Sequence, residues 1–263
     1  MSQRRHPLFD RLAELAGNGP IVVAHRGNSL AFAENTLPAF HSAKELGVRM
    51  QEFDVRRTRD GKLICIHDAS LDRTTNSAEL LGPGALVALT GFDRIRDLDA
   101  GSWHPAGCGP TGVPTLAAAL EVMLPDSIPL IEHKAGLASD YVTELRRLDR
   151  IEHCILQSFD WTFVAAAQEL APELAVALLG PSPGCGSPDA NSLACANEIG
   201  AGMLHWHDRS LTRDDVRRVH ASGLLVCTYT TDDELGFLGA ALMGIDATCT
   251  NAPARLLALG RGA

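Results

Sequence analysis

Residues 51–68, QEFDVRRTRDGKLICIHD, combine the pattern of a buried strand with acidic side chains that such a strand normally lacks. Phe53 and Val55 alternate with Glu52 and Asp54. Because successive side chains of a strand point to opposite faces, both carboxylates lie on one face and both apolar side chains on the other. The stretch therefore predicts a strand that is packed on one side and carries charge on the other.

The second half of the stretch predicts a hairpin. Asp60-Gly61 is typical of a two-residue turn between antiparallel strands, and pairing around that turn places His67 opposite Asp54. A parallel neighbour would need a crossover of about a dozen residues, which the short connection does not provide. Residues 63–67 are therefore interpreted as the returning arm of a hairpin that extends the strand before them.

Without that arm, the chain has eight strand-like runs that alternate with eight helix-like runs. The predicted strands are 20–26, 49–57, 128–134, 153–158, 174–179, 202–206, 223–229 and 246–250. The predicted helices are 35–46, 115–124, 138–149, 161–170, 188–199, 212–222, 232–243 and 252–260. Pro38 suits the first turn of its helix, and Thr231 with Glu234 predicts a capping box. Eight βα units are typical of an α/β fold of the (β/α)8 TIM-barrel type.

Residues 69–112, between the second strand and the second helix, contain many glycines and prolines and show little periodicity. Connections of this length are usually functional lids or small inserts. We expect one TIM-barrel domain over residues 1–263, with 69–112 as a small insertion after the second strand.

Composition restricts the class of protein and its surroundings. The net charge of −9 argues against a nucleic-acid partner. No apolar run approaches the roughly 20 residues that cross a bilayer, and the N-terminus lacks the features of a signal peptide. The seven cysteines are odd in number and lack paired CxxC spacing, so neither a disulfide framework nor a zinc site is expected. A protein of the reducing cytoplasm fits best.

Polar residues cluster at the predicted carboxyl ends of three strands, the end of a TIM barrel that holds the active site. They are His25 and Arg26 on the first strand, Glu52 and Asp54 on the second with His67 on its returning arm, and Glu132 and Lys134 on the third. Three carboxylates about 4 Å apart repel one another by roughly 4 kcal/mol per pair at an effective dielectric constant of about 20. Such a group either holds a proton or binds a hard cation, and all-oxygen ligands indicate Mg²⁺, Ca²⁺ or Mn²⁺.

The remaining side chains supply the other parts of a phosphoester-cleaving site. Two histidines beside a metal can act as general acid and general base near neutral pH, and Arg26 and Lys134 can bind a phosphate-like anion. Each element alone also has a structural interpretation, as a surface residue, an edge-strand salt bridge, a turn or an ion pair at the barrel rim. Polar residues inside apolar strands are costly unless they are paired or ligated, so their joint placement favours metal-assisted phosphoester cleavage.

As an ordered set, the motifs of this chain resemble those of the glycerophosphodiester phosphodiesterase family. The motifs are HRG (25–27), ENT (34–36), E-x-D (52–54), DG (60–61), HD (67–68), LDRTT (71–75), VPTL (113–116), IEHK (131–134) and QSFD (157–160). The resemblance spans about residues 20–253.

The resemblance implies a TIM barrel that hydrolyses glycerophosphodiesters to glycerol 3-phosphate and an alcohol, with one divalent cation, Mg²⁺ or Ca²⁺, or Mn²⁺ as a further choice. By motif position, the metal ligands are Glu52, Asp54 and Glu132, the acid–base pair is His25 and His67, and the phosphate-binding residues are Arg26 and Lys134. The ENT block is expected to be mainly structural, with Asn35 or Thr36 as the cap of the first helix.

The chain departs from the family pattern at four places. Ala33 stands where proline usually precedes ENT, and Asn251 stands where an aspartate is common. Members often read W-T-x-N near the C-terminus, where this chain has CTYT at 227–230. His133 replaces an aliphatic residue and is expected to face outward. No departure removes a predicted ligand or catalytic histidine, but the absent tryptophan affects the pocket wall and therefore the substrate.

Three rival functions follow from the same residues. A related barrel could act on a lipid phosphodiester, such as a lysophospholipid or a phosphoinositide, but that needs an apolar rim, and few aromatic residues are available. If the barrel were non-catalytic and only bound a phosphorylated molecule, a metal-ligating carboxylate or a catalytic histidine should be missing, and neither is. A sugar isomerase would not need two histidines and two cations around a phosphate. The sequence leaves open the head group, the metal, the separate roles of the two histidines and the oligomeric state. It also does not decide between direct attack by water and a cyclic phosphate intermediate.

Overall fold

The computed structural model describes residues 6–16, 19–180 and 186–260. Residues 1–5, which begin the N-terminus inspected for a signal peptide, and Cys185 lie outside the described residues. Within the described ranges, no helix combines the length and the apolar character that crossing a bilayer requires.

Eight parallel strands form a closed barrel, and a ninth is attached to it. The strands are β1 (Ile21–His25), β2 (Met50–Arg57), β3 (Leu63–Cys65), β4 (Ile128–His133), β5 (Ile155–Ser158), β6 (Ala175–Leu179), β7 (Met203–His207), β8 (Leu225–Tyr229) and β9 (Ala247–Thr250). β3 pairs with β2 in the antiparallel sense, and the other eight follow one another around the ring until β9 meets β1. The predicted (β/α)8 TIM barrel is confirmed, and each barrel strand lies within two residues of its predicted bounds.

Helices surround the barrel, close one of its ends and occur in the segment after β3. They are α1 (Pro7–Leu15), α2 (Leu37–Glu45), α3 (Ser77–Leu80), α4 (Phe92–Ile95), α5 (Leu116–Met123), α6 (Ala138–Arg147), α7 (Trp161–Leu170), α8 (Ala190–Ile199), α9 (Arg213–Ala221), α10 (Glu234–Met243) and α11 (Pro253–Gly260). The eight predicted helices correspond to α2 and to α5 through α11. The capping box expected of Thr231 and Glu234 is wrong, because α10 is capped by Asp233, whose side chain accepts from the Gly236 N–H.

Helix α1 was not expected from the sequence, and it covers the N-terminal end of the barrel. The His6 ring accepts from the Leu8 N–H and so caps the helix, whose first turn contains proline. Phe9 and Leu12 are buried in the same apolar cluster as the lower barrel interior. Gly202 gives the Phe9 ring room, since a Cβ at that position would lie 2.1 Å from it. The barrel floor is therefore closed by a helix.

The barrel interior has an apolar lower half and a polar upper half. The lower side chains are Val23, Met50, Leu130, Ile155, Met203, Cys227 and Cys249, all in one cluster. Two positions further along, on the same face of each strand, are His25, Glu52, Glu132, Gln157, His205, Tyr229 and Asn251. His133, one position off this face, points outward as expected and stacks on Phe163 with ring centroids 3.5 Å apart. The alternation places the polar layer at the carboxyl ends of the strands.

The hairpin of β2 and β3 differs from the prediction by one residue. The Ile66 N–H donates to the Asp54 carbonyl, so Ile66 rather than His67 is opposite Asp54, and the expected pairing is wrong. The turn is the cause. The Thr58 N–H donates to the Lys62 carbonyl at 2.8 Å beyond the strand ends, so the loop itself has three residues, 59–61, instead of two. Gly61 has a φ of 85°, the left-handed conformation found in three-residue hairpin loops.

The segment 69–112 packs around an apolar cluster that it shares with three residues flanking it. It contains α3, a 3-10 turn over Val87–Leu89 and α4. The cluster consists of Ile64, Ile66, Leu71, Val87, Ile95, Leu98, Ala100 and Val113. A contact of 3.2 Å between Nε2 of His104 and the carbonyl of Ser29 joins the segment to the loop after β1. The segment therefore lies beside the carboxyl ends of β1 and β2.

Candidate active site

Strands β2 and β4 carry the three predicted metal ligands in neighbouring positions. Asp54 is in register with Glu132, and Glu52 precedes Asp54 by two residues on the same face. All three carboxylates are buried, and one oxygen of each lies within 4.8 Å of the others. The structure thus brings the three into one acidic cluster in the upper barrel.

The three carboxyl groups differ in their affinity for protons because their neighbours differ. Burial, followed by repulsion from Asp54 and Glu132, raises the pKa of Glu52 well above its ordinary range. Burial and Asp54 raise the pKa of Glu132 to about 7. Burial acts in the same direction on Asp54, but attraction to Arg26 and Lys134 outweighs it, so the pKa of Asp54 is lowered. The cluster is therefore short of positive charge, which a cation would supply.

The two predicted phosphate-binding residues lie directly beside the cluster. The Nε atom of Arg26 is 3.1 Å from an oxygen of Asp54, and its Nη1 donates to Glu34 at 2.8 Å. The Nζ atom of Lys134 is 3.3 Å from Asp54 and also forms an ion pair with Glu132. Both side chains therefore act as counter-charges to the carboxylates in this structure.

His25 borders the cluster from β1. Its Nδ1 is 2.7 Å from Oδ1 of Asn251, and its Nε2 is 3.8 Å from Oε2 of Glu52. Burial, together with the nearby Arg26 charge, lowers the pKa of His25 to about 4. The ring is therefore neutral at pH 7, and its Nε2 edge faces the carboxylates.

His67 follows β3 and is held by charged partners. Its Nδ1 is 2.6 Å from Oδ1 of Asp68, and Arg73 donates to the same carboxylate. The Arg56 Nε donates to the His67 carbonyl at 2.8 Å, which fixes the backbone. Burial lowers the pKa of His67, against the opposing attraction of Asp54. The imidazole therefore interacts with the cluster although its pairing in the hairpin is not the predicted one.

The ENT block, expected to be mainly structural, contacts the site residues themselves. Asn35 donates to a carboxylate oxygen of Asp54 at 2.9 Å and accepts from the Asp54 N–H at 3.1 Å. Glu34 accepts from Arg26. Thr36 is the residue before α2, but its side chain makes no capping hydrogen bond. The roles of Glu34 and Asn35 were missed, and the available signal was the position of ENT just after HRG.

Three further side chains of the polar layer, Gln157, His205 and Tyr229, were not predicted as site residues from the sequence. Nδ1 of His205 is 2.9 Å from Oε1 of Gln157, and burial lowers the pKa of His205 to about 3. The Tyr229 ring meets the His205 ring edge-on at 5.1 Å and the Phe159 ring at 6.1 Å. Tyr229 thus supplies an aromatic wall on the β8 side of the mouth. The signal was the period-two placement of polar residues in apolar strands.

The donor set of the cluster fits a hard divalent cation. Oε1 of Glu52 is buried and has no partner in the part of the chain that the structure describes, whereas Oδ1 of Asp54 and Oε1 of Glu132 face the Lys134 ammonium group. Buried polar atoms without partners require an explanation, and a bound ion is one. Carboxylate oxygens are the ligands that Mg²⁺, Ca²⁺ and Mn²⁺ prefer.

Comparison with known proteins gives concordant results. The model of the glycerophosphoryl diester phosphodiesterase family matches residues 25–255. A glycerophosphodiester phosphodiesterase of Caldanaerobacter subterraneus is 30% identical over 248 residues, which are 92% of this chain and 98% of the relative. One of Bacillus subtilis is 31% identical over 254 residues, 89% of this chain and 84% of the relative. The structure of an Oleispira antarctica phosphodiesterase in complex with the product sn-glycerol-3-phosphate aligns with a TM-score of 0.81 at 26% identity, covering 92% of this chain and 97% of that chain.

Proposed function

This chain belongs to the glycerophosphoryl diester phosphodiesterase family and is a hydrolase of that class, and from this premise we propose that it cleaves glycerophosphodiesters to glycerol 3-phosphate and an alcohol in a metal-dependent reaction. One observation carries the proposal: a buried cluster of three carboxylates has two cationic side chains and two imidazoles around it. The product named for the Oleispira antarctica enzyme supports glycerol 3-phosphate as the product here.

Glu52, Asp54 and Glu132 would hold the cation, with Mg²⁺ and Ca²⁺ as the first choices and Mn²⁺ as the third. When bound, the ion would neutralise phosphate oxygens and the charge that develops on them during cleavage. The buried Oε1 of Glu52, which has no partner among the described residues, supports this assignment.

Arg26 and Lys134 would bind the phosphate group of the substrate. Arg26 uses Nε and Nη1 for carboxylates, so other N–H donors of its guanidinium group are left for an anion. Lys134 lies on the opposite side of Asp54 from the β1 strand, because it follows β4. The two cations can therefore hold a phosphate between them and keep its ester bond in one orientation.

His25 and His67 would transfer the protons. They come from different elements, β1 and the segment after β3, so they approach a substrate from two directions. One would take a proton from the nucleophile, and the other would give one to the leaving alkoxide. The nucleophile is either water or a neighbouring glycerol hydroxyl, which would form a cyclic phosphate that is then hydrolysed.

The proposed substrate is a small, deacylated diester met in the cytoplasm. The net charge of −9 disfavours association with anionic surfaces, including nucleic acid and acidic lipid headgroups. A charged diester that is met in solution needs only the local cations Arg26 and Lys134 for recognition.

A second substrate class, lipid phosphodiesters, has one structural observation in its favour. Four exposed large apolar side chains, Leu30, Trp103, Leu137 and Phe159, lie in connections that follow barrel strands. Those connections are at the carboxyl end of the barrel, the same end as the acidic cluster. They could border an acyl chain next to the site.

The test is release of glycerol 3-phosphate from purified protein, measured with a coupled dehydrogenase. The panel contains glycerophosphocholine, glycerophosphoethanolamine, glycerophosphoinositol and lysophosphatidylcholine, each with chelator and with Mg²⁺, Ca²⁺ or Mn²⁺ added back. We expect turnover of the deacylated diesters that chelator abolishes and metal restores. Choline release from lysophosphatidylcholine alone would select the second class, and chelator-resistant turnover would contradict the metal dependence.

A further inference from the structure

The Nδ1 side of His25 is held by a chain of hydrogen bonds that no motif of the sequence indicated. Asn251 follows β9, and Asp232 follows the neighbouring β8. Nδ2 of Asn251 donates to Oδ2 of Asp232 at 2.8 Å, and the backbone N–H of Asn251 donates to Oδ1 of Asp232 at 2.7 Å. On the other side, Oδ1 of Asn251 is 2.7 Å from Nδ1 of His25.

The chemistry of Asp232 decides which way the Asn251 amide points. An ionised carboxylate only accepts hydrogen bonds, so the atom of Asn251 that faces it must be the NH2 group. The amide oxygen must then face His25. An oxygen acceptor at 2.7 Å requires a proton on Nδ1, so in the neutral imidazole the lone pair is on Nε2.

We infer that Asp232 and Asn251 are positioning residues that hold His25 in its Nδ1-protonated tautomer, with the bare Nε2 directed at the acidic cluster. This inference rests on the proposed function only in giving His25 a part in proton transfer. The other histidine differs in kind, because a carboxylate, Asp68, is the partner of the His67 Nδ1. Asn251 therefore gives His25 a neutral partner.

The inference makes a specific claim about Asp232→Asn. In this variant the side chain at position 232 has an NH2 group where Asp232 had an oxygen, and two NH2 groups cannot form a hydrogen bond. The amide group of Asn251 therefore rotates by 180° and points its oxygen at position 232. The NH2 group of Asn251 then faces His25, so Nδ1 of His25 must accept a hydrogen bond and the ring proton moves to Nε2. The variant Asn251→Asp disturbs the contact for another reason, since it places two carboxylates, at positions 232 and 251, side by side. The double variant Asp232→Asn with Asn251→Asp, called the swap, restores both contacts. The carboxylate at position 251 accepts from the His25 Nδ1–H, and the amide at position 232 donates to that carboxylate.

The experiment measures the tautomer and the kinetics of the full-length protein in these four forms. Histidine labelled with ¹⁵N distinguishes Nδ1–H from Nε2–H by NMR, with the His25 signals assigned by their loss in His25→Gln. We expect Nδ1–H in the wild type and the swap, and Nε2–H in Asp232→Asn. We expect kcat to fall about 100-fold in Asp232→Asn with KM within threefold, and to return to within tenfold of wild type in the swap.

Asp246→Asn is the matched control. Asp246 precedes β9 at the opposite end of the barrel, where it accepts from the Val226 N–H at 2.7 Å. Its loss should lower stability while leaving the His25 tautomer and kcat unchanged. An Nε2–H signal for His25 in the wild type, or a swap no better than either single variant, would overturn the inference. A wild type that shows the Nδ1–H signal but no diesterase turnover would contradict the proposed function and leave the tautomer assignment standing.

Discussion

Hydrogen-bond partners hold the two imidazoles of the site, and these partners are near in sequence for His67 and distant for His25. The His67 ring is held by Asp68, whose carboxylate is in turn bound by Arg73. The His25 ring is held by the amide of Asn251. The two rings therefore enter any proton transfer from different electrostatic environments.

His67→Ala is expected to lower kcat by roughly 10²- to 10⁴-fold, because a positioned proton carrier is lost. Metal affinity should stay largely intact, since the three carboxylates are untouched. Turnover of glycerophosphocholine and calorimetric titration with Mg²⁺ or Ca²⁺ measure the two effects separately. His153→Ala, an exposed histidine before β5 at the other end of the barrel, is the matched control. Near-normal turnover of His67→Ala would count against the acid–base scheme.

Asn35→Gly is expected to weaken metal binding by roughly 10- to 100-fold, because Asp54 loses two hydrogen bonds that orient it. Glycine is chosen because Asn35 has a φ of 57°, which glycine adopts without strain. Asp149→Gly is the control, since Asp149 is exposed and has a φ of 56°. An unchanged dissociation constant in Asn35→Gly would mean that Asp54 keeps its orientation without the amide.

The charged site residues could be predicted one by one, whereas their partners could not. Glu52 and Asp54 stand out because a carboxylate inside an apolar strand is costly unless it has a function or a partner. Asn35 does not stand out, because its partner Asp54 is 19 positions away. Asn251 is 226 positions from His25. Hydrogen bonds between such distant segments exist only after the barrel has closed.

At the level of elements, the sequence did not predict the features that depend on packing or pairing between two elements. The strands of the barrel are apolar on both faces in their lower halves, so they could be predicted locally. Helix α1 was missed because charged residues break its apolar run along the sequence, although Leu8, Phe9 and Leu12 are spaced to form one face, which packs on the barrel floor. The β2–β3 register was also not decided locally, since Asp60-Gly61 suits both a two-residue and a three-residue loop.

Gly202→Ala is expected to lower the free energy of unfolding by about 1–3 kcal/mol, because the new methyl group strikes the Phe9 ring of α1. In a Phe9→Ala background the ring is absent, so the same change should cost much less, while Phe9→Ala alone costs about 3–5 kcal/mol. Urea unfolding of the four proteins measures this coupling. Gly239→Ala, where a Cβ meets nothing within 4 Å, is the control. Additive effects would show that α1 does not pack on Gly202.

At the level of the whole molecule, stability depends on keeping a polar layer inside a closed barrel. His205 is a neutral, fully buried member of that layer, with a pKa of about 3 caused first by burial and then by the nearby His25. In the unfolded chain its pKa is about 6.5. Below about pH 6.5 the unfolded chain therefore binds a proton at His205, whereas the folded barrel does not bind it until about pH 3. The free energy of unfolding therefore falls as the pH is lowered from about 6.5 to about 3.

We predict that the free energy of unfolding falls between pH 7 and pH 5 by roughly 2 kcal/mol more in the wild type than in His205→Gln. Glu132, whose pKa is raised to about 7, acts in the opposite direction, but it is present in both proteins and its effect cancels in the difference. Chemical denaturation at the two pH values measures the difference. His153→Gln should follow the wild type, and a His205→Gln curve parallel to the wild type would contradict the buried neutral imidazole.

The ion pairs of Arg26 and Lys134 with the acidic cluster have a consequence for biosynthesis. Because Asp54 and Glu132 already have cationic neighbours within the chain, the β1, β2 and β4 strands can associate without waiting for an external ion. A newly made chain can therefore complete its barrel where free divalent ions are scarce, before the proposed metal is bound. If the proposed ion binds, it would share the charge of Asp54 and Glu132 with Arg26 and Lys134, so more of their positive charge would be available to an anionic substrate.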